Sequence, residues 1–309
     1  MQRLIIVYNP RSSRYADVKH EVLSRTKELN GYLIGKYEVA PTNLDDNITQ
    51  LSKIIKDGDL ILSAGGDATG IISSNAILKS NKDACLAVLP YGNFNDLSRT
   101  LHTKNFDSVF RENAKTKDVQ NIRRSFYPLE IYIDGKFFRY ATCYVTIGMT
   151  AEAVQIYDSP ELRAKLKNKF GRKVTSYTEL MKWYFKNRHK HTFIPPFKLN
   201  GVSQDKRISD YAAVNGRSMA RVMRGGEDYR DPVYFRRETE RLTSFPRLIK
   251  LMSKSIFSRV PGSATSGDIL EFDRPSTVML QAEGESIKLT DTRKIEIKKG
   301  TKCLKVIEN

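Results

Sequence analysis

Two short apolar runs, LILSA over 60–64 and CLAVLP over 85–90, each stop at a turn dense in Gly, Asn and Asp. The turns read GGDAT (65–69) and YGNFND (91–96). Apolar runs this short, with no polar alternation, suit strands buried on both faces, as in a parallel sheet covered by helices. A run RLIIVY at 3–8 and a second candidate strand over 32–39 belong to the same series. Between them lie helical patterns, weak over 15–30 and clearer over 45–57 and 69–80, the second capped by the turn Thr42–Asp46 and broken at Gly58-Asp59. This alternation predicts an α/β domain with a parallel sheet.

The pattern changes near residue 125. Residues 127–147 read as a hairpin with its turn at Gly135-Lys136, and 161–190 as a strongly basic helical region. Short strands then recur at 193–199, 208–215, 269–273, 277–281, 293–298 and 303–307, separated by Gly, Pro and Asp. The division expected is an α/β domain over 1–124 and a β-rich, antiparallel, sandwich-like domain over 125–294. A C-terminal strand within 295–309 can return to the first domain.

Composition excludes several classes. With 309 residues, 40% of them hydrophobic, the chain can bury a sizeable core and is not a disordered basic tail. Three widely spaced cysteines, Cys85, Cys143 and Cys303, form neither a disulfide framework nor a CxxC metal site, and they fit a reducing compartment. No apolar run approaches the roughly 20 residues that span a bilayer. MQRLIIVYNP reads as a strand and not as a signal peptide. Of the net charge of +17, residues 161–259 carry 24 basic against 9 acidic residues. Such a field favours an anionic partner: nucleic acid, phospholipid headgroups or a phosphorylated substrate. A solvated, charged surface is the bland alternative.

The two Gly-rich turns carry the chemistry. Glycines let main chain approach a phosphate, and the helix that follows offers free N–H groups at the positive end of its dipole. Asp67 there would oppose a phosphate, so it suits a Mg²⁺ ion or a proton instead. Gly92, Asn93, Asn95 and Asp96 place a second polar turn at the end of the next strand. Asn9-Pro10-Arg11-Ser12-Ser13 adds hydroxyls and a cation at the end of the first. Each turn alone also reads as ordinary helix capping. Three at the ends of parallel strands make the crevice where open α/β sheets bind ligands.

Taken together, NPRSS (9–13), Thr42 in APTN, GGDAT (65–69) and GNFND (92–96) resemble the catalytic domain of the diacylglycerol kinase and sphingosine kinase superfamily. Further along, Gly148–Val154, Gly171 and Tyr177 resemble the segment leading into that family's basic helical region, and AEGES (282–286) its Asp-Gly-Glu segment. The resemblance implies a Rossmann-like first domain of the NAD kinase and diacylglycerol kinase type. It implies a bacterial-type lipid kinase, a stand-alone catalytic unit of lipid metabolism and phospholipid biosynthesis, that uses ATP and Mg²⁺ to phosphorylate a lipid hydroxyl, diacylglycerol first among the acceptors. Asn9, Pro10, Arg11, Ser12, Ser13, Thr42, Gly65, Gly66, Asp67, Ala68, Thr69 and Asn93 would cradle ATP. Asp67 would support the metal or act on the acceptor, Glu285 would be the base, and Asn95 and Asp96 would shape the substrate cleft.

The sequence departs from the family at several points. Ala68 replaces the third glycine, and its methyl could crowd the nucleotide or demand a negative φ. Asn93 replaces a threonine and Glu283 the aspartate of Asp-Gly-Glu. Where bacterial members carry an Asp-Asp-Gly segment for a structural Mg²⁺, this chain reads GGEDYRDPVYF (225–235), leaving Asp228 and Asp231 as acids in a broken pattern.

A lipid kinase gives the basic stretch a purpose. Residues 163–190 hold ten Lys or Arg against Glu179, interleaved with Tyr177, Trp183, Tyr184 and Phe185. Cations near anionic headgroups contribute about 1 kcal/mol each, and aromatics suit the interface. The expectation is a cytoplasmic protein held peripherally at the inner face of the membrane through 161–259. His189 and His191 read as bystanders, and the oligomeric state is open, a homodimer included. Other acceptors (a sphingoid base, ceramide, a monoacylglycerol, a polyprenol), an NAD kinase-like enzyme and a catalytically weak lipid- or nucleotide-binding protein are the alternatives. A nucleic-acid binder explains the charge but not the three turns, and no RRM, zinc-finger or helix-turn-helix signature supports one.

Overall fold

Five strands follow in chain order: β1 (Gln2–Tyr8), β2 (Tyr32–Glu38), β3 (Leu60–Gly65), β4 (Cys85–Pro90) and β5 (Arg123–Phe126). With the last strand of the chain, β18 (Leu304–Ile307), they form one sheet of order β2-β1-β3-β4-β18-β5. β1 to β4 pair in parallel, β18 runs parallel to β4, and β5 antiparallel to β18. β3 is buried along its whole length and β4 as far as Leu89, as their unbroken apolar runs require. The first domain is therefore α/β with a mostly parallel sheet, as the alternation predicts.

This computed structural model describes residues 1–12, 14–92, 95–115, 123–157, 178–179, 182–183, 185–187, 193–204, 208–216, 218–219, 223–224, 232–240 and 262–308. Ser13, Asn93, Asp228, Asp231 and most of the basic stretch 161–259 lie outside them.

The helices bounded among the described residues are α1 (Tyr15–Val18), α2 (Leu44–Ile54), α3 (Asp67–Ser80), α4 (Asp96–Thr100), α5 (Phe106–Lys115) and α6 (Met149–Tyr157), and residues 178–179, 182–183 and 185–187 are helical as well. The single helix expected over 15–30 is split: α1 passes into a π turn (Lys19–Leu23) and a 3₁₀ turn (Ser24–Glu28). No side chain caps its start, so nothing local fixes one ladder register. α2 does have a cap: the Asn43 side chain accepts the Asp46 N–H at 2.7 Å. α3 is buried from Thr69 to Leu78, because it packs on the first sheet and on the second domain at once.

The second domain is a ten-stranded sheet among the described residues. Its strands are β6 (Leu129–Ile133), β7 (Lys136–Ala141), β8 (Tyr144–Gly148), β9 (Phe197–Leu199), β10 (Val202–Ser203), β11 (Ile208–Val214), β14 (Tyr234–Glu240), β15 (Ser263–Thr265), β16 (Gly267–Ala282) and β17 (Glu285–Lys299). Every pairing is antiparallel. The main path runs β15-β14-β11-β8-β16-β17-β6-β7, and β12 (Ser218–Met219) with β13 (Met223–Arg224) forms a separate ribbon.

The structure shifts three local expectations. The hairpin turn is Asp134-Gly135, one residue earlier than read, because both positions need positive φ (49° and 79°) and Asp-Gly meets that need. The strands expected at 269–273 and 277–281 are one strand, β16, whose register slips between Glu271 and Ser276 around Pro275, which has no N–H to give to a ladder. Of 193–199 only Phe197–Leu199 is strand, after the Pro195-Pro196 pair. Among the described residues no helix is long and apolar enough to cross a membrane.

Candidate active site

Parallel pairing places the turns. Tyr8 ends β1 opposite Ala64, and Gly65 ends β3 opposite Pro90. The turns after β1, β3 and β4 thus leave one edge of the sheet together, as the sequence predicts. In the first, Ser12 N–H bonds the Asn9 carbonyl at 3.0 Å, and Asn9 Oδ1 accepts the Arg11 N–H at 3.0 Å. Arg11 then donates to the Ala40 carbonyl at 2.8 Å, tying this turn to the one that holds Thr42. Thr42 is exposed, and its Oγ1 accepts from Asn47 at 3.1 Å. Asn47, 2% exposed, also bonds Ala40 and the Asn43 carbonyl. It organises the Thr42 turn from beneath, a role its place inside an ordinary helix pattern did not announce.

The second and third turns touch. A Cβ at Gly92 would stand 2.7 Å from Gly66 Cα and 2.8 Å from Asn95 Oδ1, so only glycine permits the approach. At Gly65 a Cβ would stand 2.3 Å from Thr69 Oγ1, and Thr69 is buried beneath the turn. Asp67 spans the contact: its carboxylate accepts the Asp96 N–H at 3.1 Å and the Asn95 N–H at 3.3 Å. Asp96 pairs with Arg99 at 2.5 Å. Ala68 is exposed in the first turn of α3 and is not among the residues with positive φ. Alanine in place of a third glycine thus brings no backbone strain.

The second domain closes the crevice. A pocket between the domains is lined by Gly65, Gly66, Asp67, Asn95 and Asp96 from one side and by Thr142, Cys143, Tyr144 and Glu283 from the other. Glu283, 7% exposed, accepts hydrogen bonds from Thr142 Oγ1 and the Cys143 N–H. Burial pushes its carboxyl up to about 7, those two bonds pull it down, and the charge of Asp67 raises it again. Burial first, and then the charges of Glu283 and Asp96, also hold the Cys143 thiol well above its ordinary value, so it is no nucleophile.

Glu285 lies two residues beyond, across the tight turn Glu283-Gly284, where both φ values are positive (52° and 93°). It does not line this pocket. Its carboxylate is held by Arg139, whose other nitrogen bonds Asp45 in the first turn of α2 at 3.1 Å. The hairpin tip thus sends Glu283 toward the Asp67 turn and Glu285 toward the Thr42 side. The sequence singled out Glu283 only as a departure and passed over Arg139, although a lone cation inside FFRYATCYV was its signal.

The turns suit a nucleotide's phosphates: two glycine turns in contact, with N–H groups at the start of α3. Among the described residues, no group of three or more His, Cys, Asp or Glu side chains is arranged to hold a metal ion. A Mg²⁺ ion here would therefore depend on phosphate oxygens for most of its ligands, with Asp67 and Asp96 as the nearby carboxylates.

A parallel α/β domain with phosphate-type turns, closed by an antiparallel sheet, is a recognised architecture. Residues 3–122 match the model of the diacylglycerol kinase catalytic domain. A curated diacylglycerol kinase of Bacillus subtilis (strain 168) is 28% identical over 137 residues, 41% of this chain and 44% of that protein. The chain thus matches less than half the length of that relative. The crystal structure of a diacylglycerol kinase from Bacillus anthracis str. Sterne superposes on all of this chain and 97% of its own, with a TM-score of 0.62 at 16% identity. A second solved structure from that organism covers the same shares, with a TM-score of 0.65 at 15% identity. These two show that the described residues, second domain included, have their fold.

Proposed function

We propose that the protein is an ATP-dependent lipid kinase that transfers the γ-phosphoryl group to a lipid hydroxyl, with diacylglycerol the first candidate acceptor. The observation that carries this reading is the contact of the Gly66 and Gly92 turns under Asp67, facing a second domain across the crevice. Phosphoryl transfer needs positioning and charge neutralisation more than covalent help. In this reading the turns at Asn9–Ser12, Thr42 and Gly65–Asp67 hold the nucleotide. Asp67 and Asp96, which line the crevice, would hold a Mg²⁺ ion, and that ion would supply charge neutralisation at the phosphates. Asn95 supports the crevice through its bond with the Gly92 N–H at 2.6 Å. Glu285 takes the proton of the acceptor hydroxyl, and Glu283, whose carboxyl burial raises to about 7, sets the polarity of the wall opposite Asp67.

The basic stretch 161–259 belongs to this reading as a docking surface for an anionic bilayer. The test is to incubate the protein with γ-labelled ATP, Mg²⁺ and a mixed lipid extract and to identify what carries label. Label on diacylglycerol is the expected result. Label on another lipid keeps the class and changes the acceptor. Label on NAD, or on neither, overturns the reading in favour of an NAD kinase-like enzyme or a binding protein.

A further inference from the structure

Arg139 is 4% exposed, a cation at an almost closed position on β7. Nη1 donates to Glu285 Oε2, and Nη2 to Asp45 Oδ1 at 3.1 Å. One partner thus comes from each domain. The guanidinium carbon lies 5.0 Å from the centre of the Phe138 ring. Nε is buried with no hydrogen-bond partner. Burying a cation costs several kcal/mol, and partners that remain in water return little of it: Asp45 is 72% exposed and Glu285 37%. An apolar side chain would serve stability at least as well, so the arrangement calls for another purpose.

The bond to Glu285 is one-sided. Arg139 holds Oε2, while Oε1 accepts no hydrogen bond from any described residue. The same guanidinium fixes the first turn of α2, next to the Thr42 turn. The geometry points to Arg139 as the positioning residue for Glu285: it holds one carboxylate oxygen beside the first turn of α2 and leaves the other, unbonded among the described residues, to take the proton of the acceptor hydroxyl. This inference rests on the reading of Glu285 as the base. As the new O–P bond forms, the hydroxyl proton passes to Oε1. The bond from the γ-phosphorus to the bridging oxygen breaks, and ADP leaves with the electron pair. Arg139 touches neither reacting atom. It sets the angle at which Glu285 waits, and it ties that angle to the domain that carries the nucleotide.

The test is steady-state kinetics with diacylglycerol in phosphatidylglycerol vesicles, comparing wild type with Arg139→Gln, Arg139→Lys, Asp45→Asn and Glu285→Gln. Arg139→Gln is expected to lower kcat about 100-fold, the order of loss when a reacting group is misplaced, and to leave KM for ATP within about threefold. Arg139→Lys, which keeps the charge but loses the planar fork, should recover part of that loss. Asp45→Asn should cost less than Arg139→Gln. Equal kcat in wild type and Arg139→Gln, with Glu285→Gln inactive, overturns the positioning role and leaves the base in place. Full activity in Glu285→Gln instead overturns the reading of Glu285. Should Arg139→Gln not fold, Arg139→Lys decides alone: wild-type kcat in it overturns the proposal.

Discussion

The side chain of Asn75 on α3 hydrogen-bonds both main-chain groups of Tyr140 on β7: Nδ2 donates to the carbonyl and Oδ1 accepts the N–H, each at 3.1 Å. β7 ends the main path of the second sheet, and Asn75 takes the place a further strand would hold. Asn75→Ala would leave two buried main-chain groups unpaired, each costing about 1–3 kcal/mol. We expect a loss of about 2–4 kcal/mol, read as a lower urea midpoint. A midpoint unchanged in the variant would mean that water replaces the amide and that the bonds do not hold the domains together.

Glu283 makes stability depend on pH. Its carboxyl titrates near 7 in the folded protein, chiefly because it is buried, against an ordinary value of 4.5. Between those values the folded chain keeps a proton that the unfolded chain has lost. Stability from this group is therefore full below about 4.5, falls as pH rises, and is flat above about 7. Asp210, pushed up to about 6 by burial, acts with the same sign despite its bonds from Thr150. Glu283→Gln should gain on wild type between pH 5 and 8, and urea midpoints at the two pH values would show it. Equal differences at both would mean that Glu283 does not titrate there.

Gly92 and Gly66 offer a steric comparison. A Cβ at Gly92 would overlap Gly66 Cα at 2.7 Å, whereas one at Gly66 meets Gly92 Cα at an ordinary 3.5 Å. Gly92→Ala should weaken ATP binding about tenfold or more, the scale of 1–3 kcal/mol for overpacking. Calorimetric titration with a non-hydrolysable ATP analogue compares the two variants. A smaller effect at Gly92 than at Gly66 would contradict the contact.

Asp67 holds the 95–96 turn and, in the proposed reading, also acts at the phosphates. Asparagine can accept one N–H but presents an amide to the other, so Asp67→Asn should distort the 95–96 turn as well as remove the charge. Turnover is expected to fall at least about 100-fold while far-ultraviolet circular dichroism stays that of the wild type. Near-normal turnover would remove Asp67 from the mechanism.

The basic stretch predicts binding to phosphatidylglycerol vesicles that weakens from 0.05 to 0.5 M salt, because exposed charges are screened within about 10 Å at 0.1 M. Vesicle co-sedimentation measures it. Binding insensitive to salt would leave the charge as plain surface.

What the sequence disclosed and what it hid follow from range. LILSAGG and CLAVLP were legible because a buried parallel strand and a glycine turn are written in consecutive residues. The turn at Asp134-Gly135 was nearly so, missed by one position. Glu283 and Arg139 were not, because their roles come from partners far along the chain: Thr142 and Cys143 for one, Asp45 and Glu285 for the other. The sequence pointed to Glu285 through a three-residue motif, yet nothing local could say that its neighbour two positions back would face the pocket. Asn75 lay hidden for the same reason, as one polar residue in ISSNAIL whose partner is a strand 65 residues away.

β18 lies between β4 and β5, so the first sheet is finished by residues 304–307. On the ribosome, residues 1–126 would wait, with the flank of β4 bare, until nearly the whole second domain had been synthesised. The domains are then not beads on a string, made one after the other. The stretch 3–122 that matches the diacylglycerol kinase catalytic domain is no excisable module, and a truncation designed around it would expose the edge that β18 covers.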